Sequence, residues 1–104
     1  MTTHTSVPPD TLPRDLVDKV VEFAEKYPQI YAAHYAPLGF YSDEAPIIHF
    51  LTDPPYNFNL DEPIAKFMSD LNDQSDFYLE IGHFPIKKED VKNHPLGPLI
   101  YTKT

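Results

Sequence analysis

Residues 30–53, IYAAHYAPLGFYSDEAPIIHFLTD, form the densest apolar and aromatic run in the chain, and they constrain it to fold around a β-hairpin. Residues 30–36 mix β-formers with small alanines, and residues 47–52 are apolar except for His49 and the closing Thr52. Gly39, Ser42 and Asp43 supply turn chemistry between the two runs. Pro37 and Pro46, which have no N–H to give to a central ladder, bound the loop. Centring the turn between Tyr41 and Ser42 places His34 opposite His49. On this register Ile30, Ala32, His34, Ala36, Ile47, His49 and Leu51 share one face, and Tyr31, Ala33, Tyr35, Ile48, Phe50 and Thr52 share the other. A strand with one solvated face alternates apolar with polar residues. These strands do not, so both faces are expected to be covered.

Two helices are available to do it. Leu16, Val17, Val20, Val21, Ala24 and Tyr27 recur at helical spacing after a start near Asp10 or Thr11, with Pro13 in the first turn and Pro28 as the stop. Ile64, Phe67, Met68 and Leu71 make a second one-sided stripe, capped by Asn59 or Asp61. Phe77, Leu79 and Ile81 alternate with Tyr78, Glu80 and Gly82 as a third strand. Residues 87–90 read as a polar or short helical turn, and residues 99–102 as a short edge strand. Residues 1–9 lack periodicity and read as a flexible arm, leaving 10–104 as a single α+β domain. The expected architecture is a two-layer sandwich, a mainly antiparallel sheet of three or four strands with both helices on one face, in the order α-β-β-α-β(-β). Two helices of this length cover one face only. The other, with Tyr31, Tyr35 and Phe50 assigned to it as interface residues, is then expected to be hidden in a homodimer or against another protein.

Composition removes several chemistries. The 104 residues contain no cysteine, which excludes disulfides, thiolate nucleophiles and cysteine metal sites, and fits a cytoplasmic protein. Eight basic residues against sixteen acidic ones give a net charge of −8, which repels a phosphate backbone, so nucleic acid is not an expected partner. No apolar run has the roughly 18 residues that a membrane helix requires, and no membrane partner is expected. The three glycines, Gly39, Gly82 and Gly97, are isolated, whereas phosphate-binding loops cluster theirs. No G-x-S-x-G accompanies the four serines.

The helix–strand–strand–helix–strand order resembles that of minimal nucleotidyltransferase domains. That family's Gly-Ser element and paired magnesium-binding aspartates have no counterpart in APLGFYSDEAPIIHFLTD, where Asp43 and Asp53 stand apart, so the resemblance stops at element order.

The residues that carry chemistry are therefore few. His34, His49 and Asp53 are candidates for a metal-binding or acid–base set, because neutral imidazole ligates divalent ions and exchanges protons near pH 7. DLNDQSD, at residues 70–76, places oxygens at alternate positions like a calcium loop but lacks its glycine and closing glutamate. His83 and His94, each just ahead of a proline segment, read as loop residues. Between Asp53 and Glu80 seven acids face the single Lys66, and the exposed part of that run, around Asp70 and Asp73, is a solvated helix face or a surface for a basic partner. No cofactor is expected. The reading these residues support is a non-enzymatic interaction or regulatory module that self-associates through an apolar sheet face, with a small metal-dependent or acid–base enzyme as the alternative.

Overall fold

A computed structural model describes residues 7–103, so all but the last three residues of the expected arm lie outside the described residues. The elements run α1 (Arg14–Glu25), β1 (Ile30–Ala36), β2 (Ile47–Thr52), α2 (Asp61–Gln74), β3 (Glu80–Pro85) and β4 (Leu99–Thr102). Short 3₁₀ turns lie at Phe58–Leu60 and Lys88–Asn93. The result is a two-layer α+β fold on a four-stranded sheet of order β3-β2-β1-β4.

The hairpin forms in the expected register, with His34 opposite His49 and Ala36 opposite Ile47. The sheet is mixed rather than purely antiparallel, because β3 pairs with β2 in parallel. The physical reason is the connection: α2 carries the chain back along the sheet before β3 begins, as a parallel pair requires. β4 closes the other side by pairing antiparallel with β1. The central strands β1 and β2 are covered on both faces, whereas β3 and β4 are half exposed as edges.

Both helices lie on one face. α1 turns Leu16, Val20, Phe23 and Ala24 inward and α2 turns Ile64 and Leu71 inward, onto Ala33, Tyr35, Ile48 and Phe50 of the hairpin. Phe23 stacks on Phe67 at 4.4 Å and lies 5.3 Å from Phe50, so three rings join the helices to the sheet. α1 begins at Arg14, later than the caps at Asp10 or Thr11 require, because Pro13 itself is the capping residue and its carbonyl accepts the first amides, Leu16 and Val17. At the other end Lys103, just past β4, donates from Nζ to the carbonyls of Ala24 and Tyr27 at 3.0 and 2.8 Å, adding a cationic donor at the helix C-terminus to two carbonyls that already accept the Tyr27 and Ile30 amides. Asp61 is the first residue of α2 rather than its cap. The Asn57 side chain instead accepts from the Asn59 amide at the preceding 3₁₀ turn. β3 starts at Glu80, three residues later than the alternation predicts. Phe77 and Leu79 are buried in the connection before it, where the Asn72 side chain accepts from the Leu79 amide at 2.8 Å and donates to its carbonyl at 2.9 Å, as a neighbouring strand would.

The second face is closed by the chain between β3 and β4. Ile86, Val91 and Leu96 pack on Tyr31, Ala32 and Leu51 as a separate, smaller cluster. A bulge between Ile30 and Ala32 exchanges two residues between the expected faces: Ile30 joins the helix-side core and Tyr31 turns to the second face. Gly97 makes the wrap possible. It adopts φ +85°, and a Cβ there would lie 2.5 Å from the Tyr35 carbonyl oxygen, so no other residue lets the two backbones meet this closely.

Candidate functional site

The three residues assigned to an interface do not share a surface. Tyr35 and Phe50 are sealed beneath the helices, the first with its hydroxyl donated to the Pro9 carbonyl at 2.7 Å, and burial, with Asp10 adding, pushes that hydroxyl up to about 12. Tyr31 is buried on the opposite face and donates to the Ile86 carbonyl. The interface assigned to these residues is therefore corrected: the hairpin face that carries Tyr35 and Phe50 is the one the helices cover.

The second face carries His34 and His49 side by side as cross-strand partners. His34 Nδ1 donates to the Gly97 carbonyl at 2.9 Å, which fixes its tautomer. His49 has no such partner. Its Nε2 is buried and makes no hydrogen bond, and burial, then the charge of His34, lowers its pKa to about 4. The Tyr41 ring stands edge-on to it at 5.3 Å and Phe84 lies against it at 4.7 Å. Tyr41, His49 and Phe84, with Ile47, Ile86, His94, Pro95 and Leu96, line a groove of about 500 Å³ that contains no carboxylate or ammonium group.

Asp53 lies beyond the end of β2 and is exposed. It does not complete a set with the two histidines, and among the described residues no group of three histidine or carboxylate side chains is placed to hold a metal ion. Asp70 and Asp73 are both exposed on α2, on the opposite layer from the groove. No helix among the described residues is long and apolar enough to cross a membrane.

A second histidine site was not visible in the sequence. His83, read as a loop residue, belongs to β3 and points into the helix layer, where its Nε2 donates to Asp61 Oδ1 at 2.9 Å. The Tyr56 hydroxyl donates to the same oxygen at 2.5 Å, and its ring lies 4.4 Å from that of His83. The Tyr56 and His83 hydrogen bonds together hold the Asp61 carboxyl below its usual range. The arrangement has the parts of an acid–base relay, but the remaining nitrogen, His83 Nδ1, is buried and has no hydrogen-bond partner among the described residues. A general base must reach its substrate. This one is closed in, and what the network does is tie β3 to the first residue of α2. The available signal was the alternation from Leu79 through Ile81, which continues to His83 on the same side.

Of the two sites, only the His49 groove combines an opening, an apolar lining and an unsatisfied polar atom. No protein-family model matches this chain, and no curated protein matches it.

Proposed function

We propose that the chain is a non-enzymatic, cytosolic binding module that self-associates through the second face of its sheet. The aromatic rim of that face carries the reading: Phe40, Tyr41 and Phe84 are 44, 47 and 42 % exposed beside a groove lined without a carboxylate or ammonium group. Isolated exposed aromatics are ordinary, but rings grouped beside an apolar concavity mark contact surfaces. A second copy is the simplest occupant. One patch carries all three projecting rings at the rim of the groove, so a two-fold axis lets the rims of two copies meet and leaves the recess itself open. The acids at Asp70 and Asp73 lie on the other layer and do not oppose this approach.

Light scattering across a concentration series tests the reading. A dimer mass at high micromolar concentration is expected, with Phe84→Glu returning a folded monomer. A wild-type chain that stays monomeric throughout overturns it.

A further inference from the structure

We infer that the groove beside His49 is a binding site for a small neutral molecule with a flat apolar body and one hydroxyl or amide group, which hydrogen-bonds to His49 Nε2. The inference rests on reading the second face as the binding surface, but it does not require self-association.

The first support is size. A volume of about 500 Å³ falls within the roughly 300–1,000 Å³ of small-molecule pockets, which are mostly apolar with a few placed polar groups. The second is the orphaned nitrogen. His49 is only 6 % exposed, and its Nε2 lacks any hydrogen-bond partner, although buried polar atoms are almost always paired. A ligand hydroxyl supplies what the fold does not. The third is charge: burial holds the His49 imidazole in its neutral form, and the lining, whose other titratable side chain besides Tyr41 is His94, contains no carboxylate, ammonium or guanidinium group to offset an ionic ligand, so a neutral occupant is favoured. A neutral imidazole nitrogen accepts from a hydroxyl or donates to a carbonyl according to its tautomer, so hydroxyl and amide ligands are both served.

The route in is also defined. Tyr41 stands edge-on over His49 from the loop between β1 and β2, where its ring is half exposed. Outward movement of that ring would widen the groove at the His49 imidazole and leave Phe84, Ile86 and Leu96 as walls for a flat body. Tyr41 is thus a positioning residue for access, and His49 is the anchor.

Phenol and toluene, which share a body and differ in one hydroxyl, test the site by NMR titration of isotope-labelled protein. Phenol is expected to shift the His49 ring nitrogens and the Phe84 and Leu96 signals saturably, and to bind at least about tenfold more tightly than toluene, the ratio that one modest hydrogen bond confers. His49→Phe, which keeps a ring of similar size without the nitrogen, should abolish that preference while the spectrum remains that of a folded protein. Tyr41→Ala should strengthen phenol binding. Equal binding of phenol and toluene by the wild type overturns the His49 anchor, and so does an undiminished phenol preference in His49→Phe. Benzylammonium binding as tightly as phenol overturns the assignment to neutral ligands, and absence of any saturable shift overturns the site. Light scattering on the same samples reports self-association separately, so failure of the dimer and failure of the ligand site are distinguishable.

Discussion

Each face of this sheet buries a histidine, and the two are treated differently. On the helix side, rings from α1, α2 and β2 meet in one continuous core, and His83 at its margin has Nε2 committed to Asp61. On the second side an irregular segment lays Ile86, Val91 and Leu96 over the hairpin, and a groove remains beside His49, whose Nε2 has no hydrogen-bond partner among the described residues. The contrast follows from what covers each face. Helices bring a regular apolar stripe that fills space between ridges, whereas a segment with prolines and a 3₁₀ turn brings side chains at uneven intervals. The well-filled face supplies stability, and the loosely filled face retains both space and an unsatisfied polar atom, which are the requirements of a binding surface.

The largest expected effect tests the first half of that contrast. Phe50 is fully buried between β2 and the helices, so Phe50→Ala should cost about 3–5 kcal/mol in urea denaturation. A loss below about 1 kcal/mol would mean that the helix-side rings are not what holds the fold.

His49 tests the second half. Its folded pKa is lowered from 6.5 to about 4, chiefly by burial, so below pH 6.5 the unfolded chain takes up a proton that the folded chain refuses. This contribution is complete above pH 6.5 and is lost as the pH falls towards 4, by up to about 3 kcal/mol from the size of the shift. His49→Phe should remove that slope. A variant whose stability falls between pH 6.5 and 4 as steeply as the wild type would show that His49 is not buried in neutral form.

Asn72 is the polar counterpart on the well-filled side. Its amide pairs with both backbone groups of Leu79 and with the Met68 carbonyl, so Asn72→Ala strands buried backbone atoms and should cost about 2 kcal/mol. Amide exchange at Leu79 should quicken in the same variant, and unchanged exchange would reassign the hydrogen bond.

Asn72 also shows where sequence reasoning stops. In DLNDQSD it looked like one more oxygen in an acidic run, because nothing local says that an asparagine will pair with a backbone seven residues on. Periodic features were legible: the hairpin register through His34 and His49, the stripes of both helices, and the α-β-β-α-β-β order. The parallel placement of β3 was not, since Phe77, Leu79 and Ile81 alternate identically whichever strand lies beside them. The bulge at Tyr31 was equally hidden. A shift of one residue reverses sides without altering composition, and it helped send the interface assignment to Tyr35 and Phe50. The wrap over the second face depends on Gly97 meeting the Tyr35 backbone, a contact between residues 62 apart with no pattern to announce it. The groove inherits that invisibility. Its His49 was identified as a chemical candidate, whereas Phe84 and Leu96, which complete it, come from a segment that reads as turns.

The smallest expected effect concerns the pairing that distinguishes His83 from His49. Asp61 is exposed and its carboxylate is open to solvent and salt although the His83 ring beneath it is buried, so Asp61→Asn should barely move the denaturation midpoint at pH 7. Its signature lies in acid. The Tyr56 and His83 hydrogen bonds depress the folded pKa below the ordinary 3.8, so the carboxylate's contribution is complete above that value and is lost as the pH falls through the lower folded one. The asparagine does not titrate, so whatever separates wild type from variant at pH 6 should shrink below pH 4. A midpoint loss at pH 7 as large as that of Asn72→Ala would make Asp61 a structural support of the helix side rather than an exposed clasp on β3. The two histidines would then differ in how the fold depends on them as well as in whether they are paired.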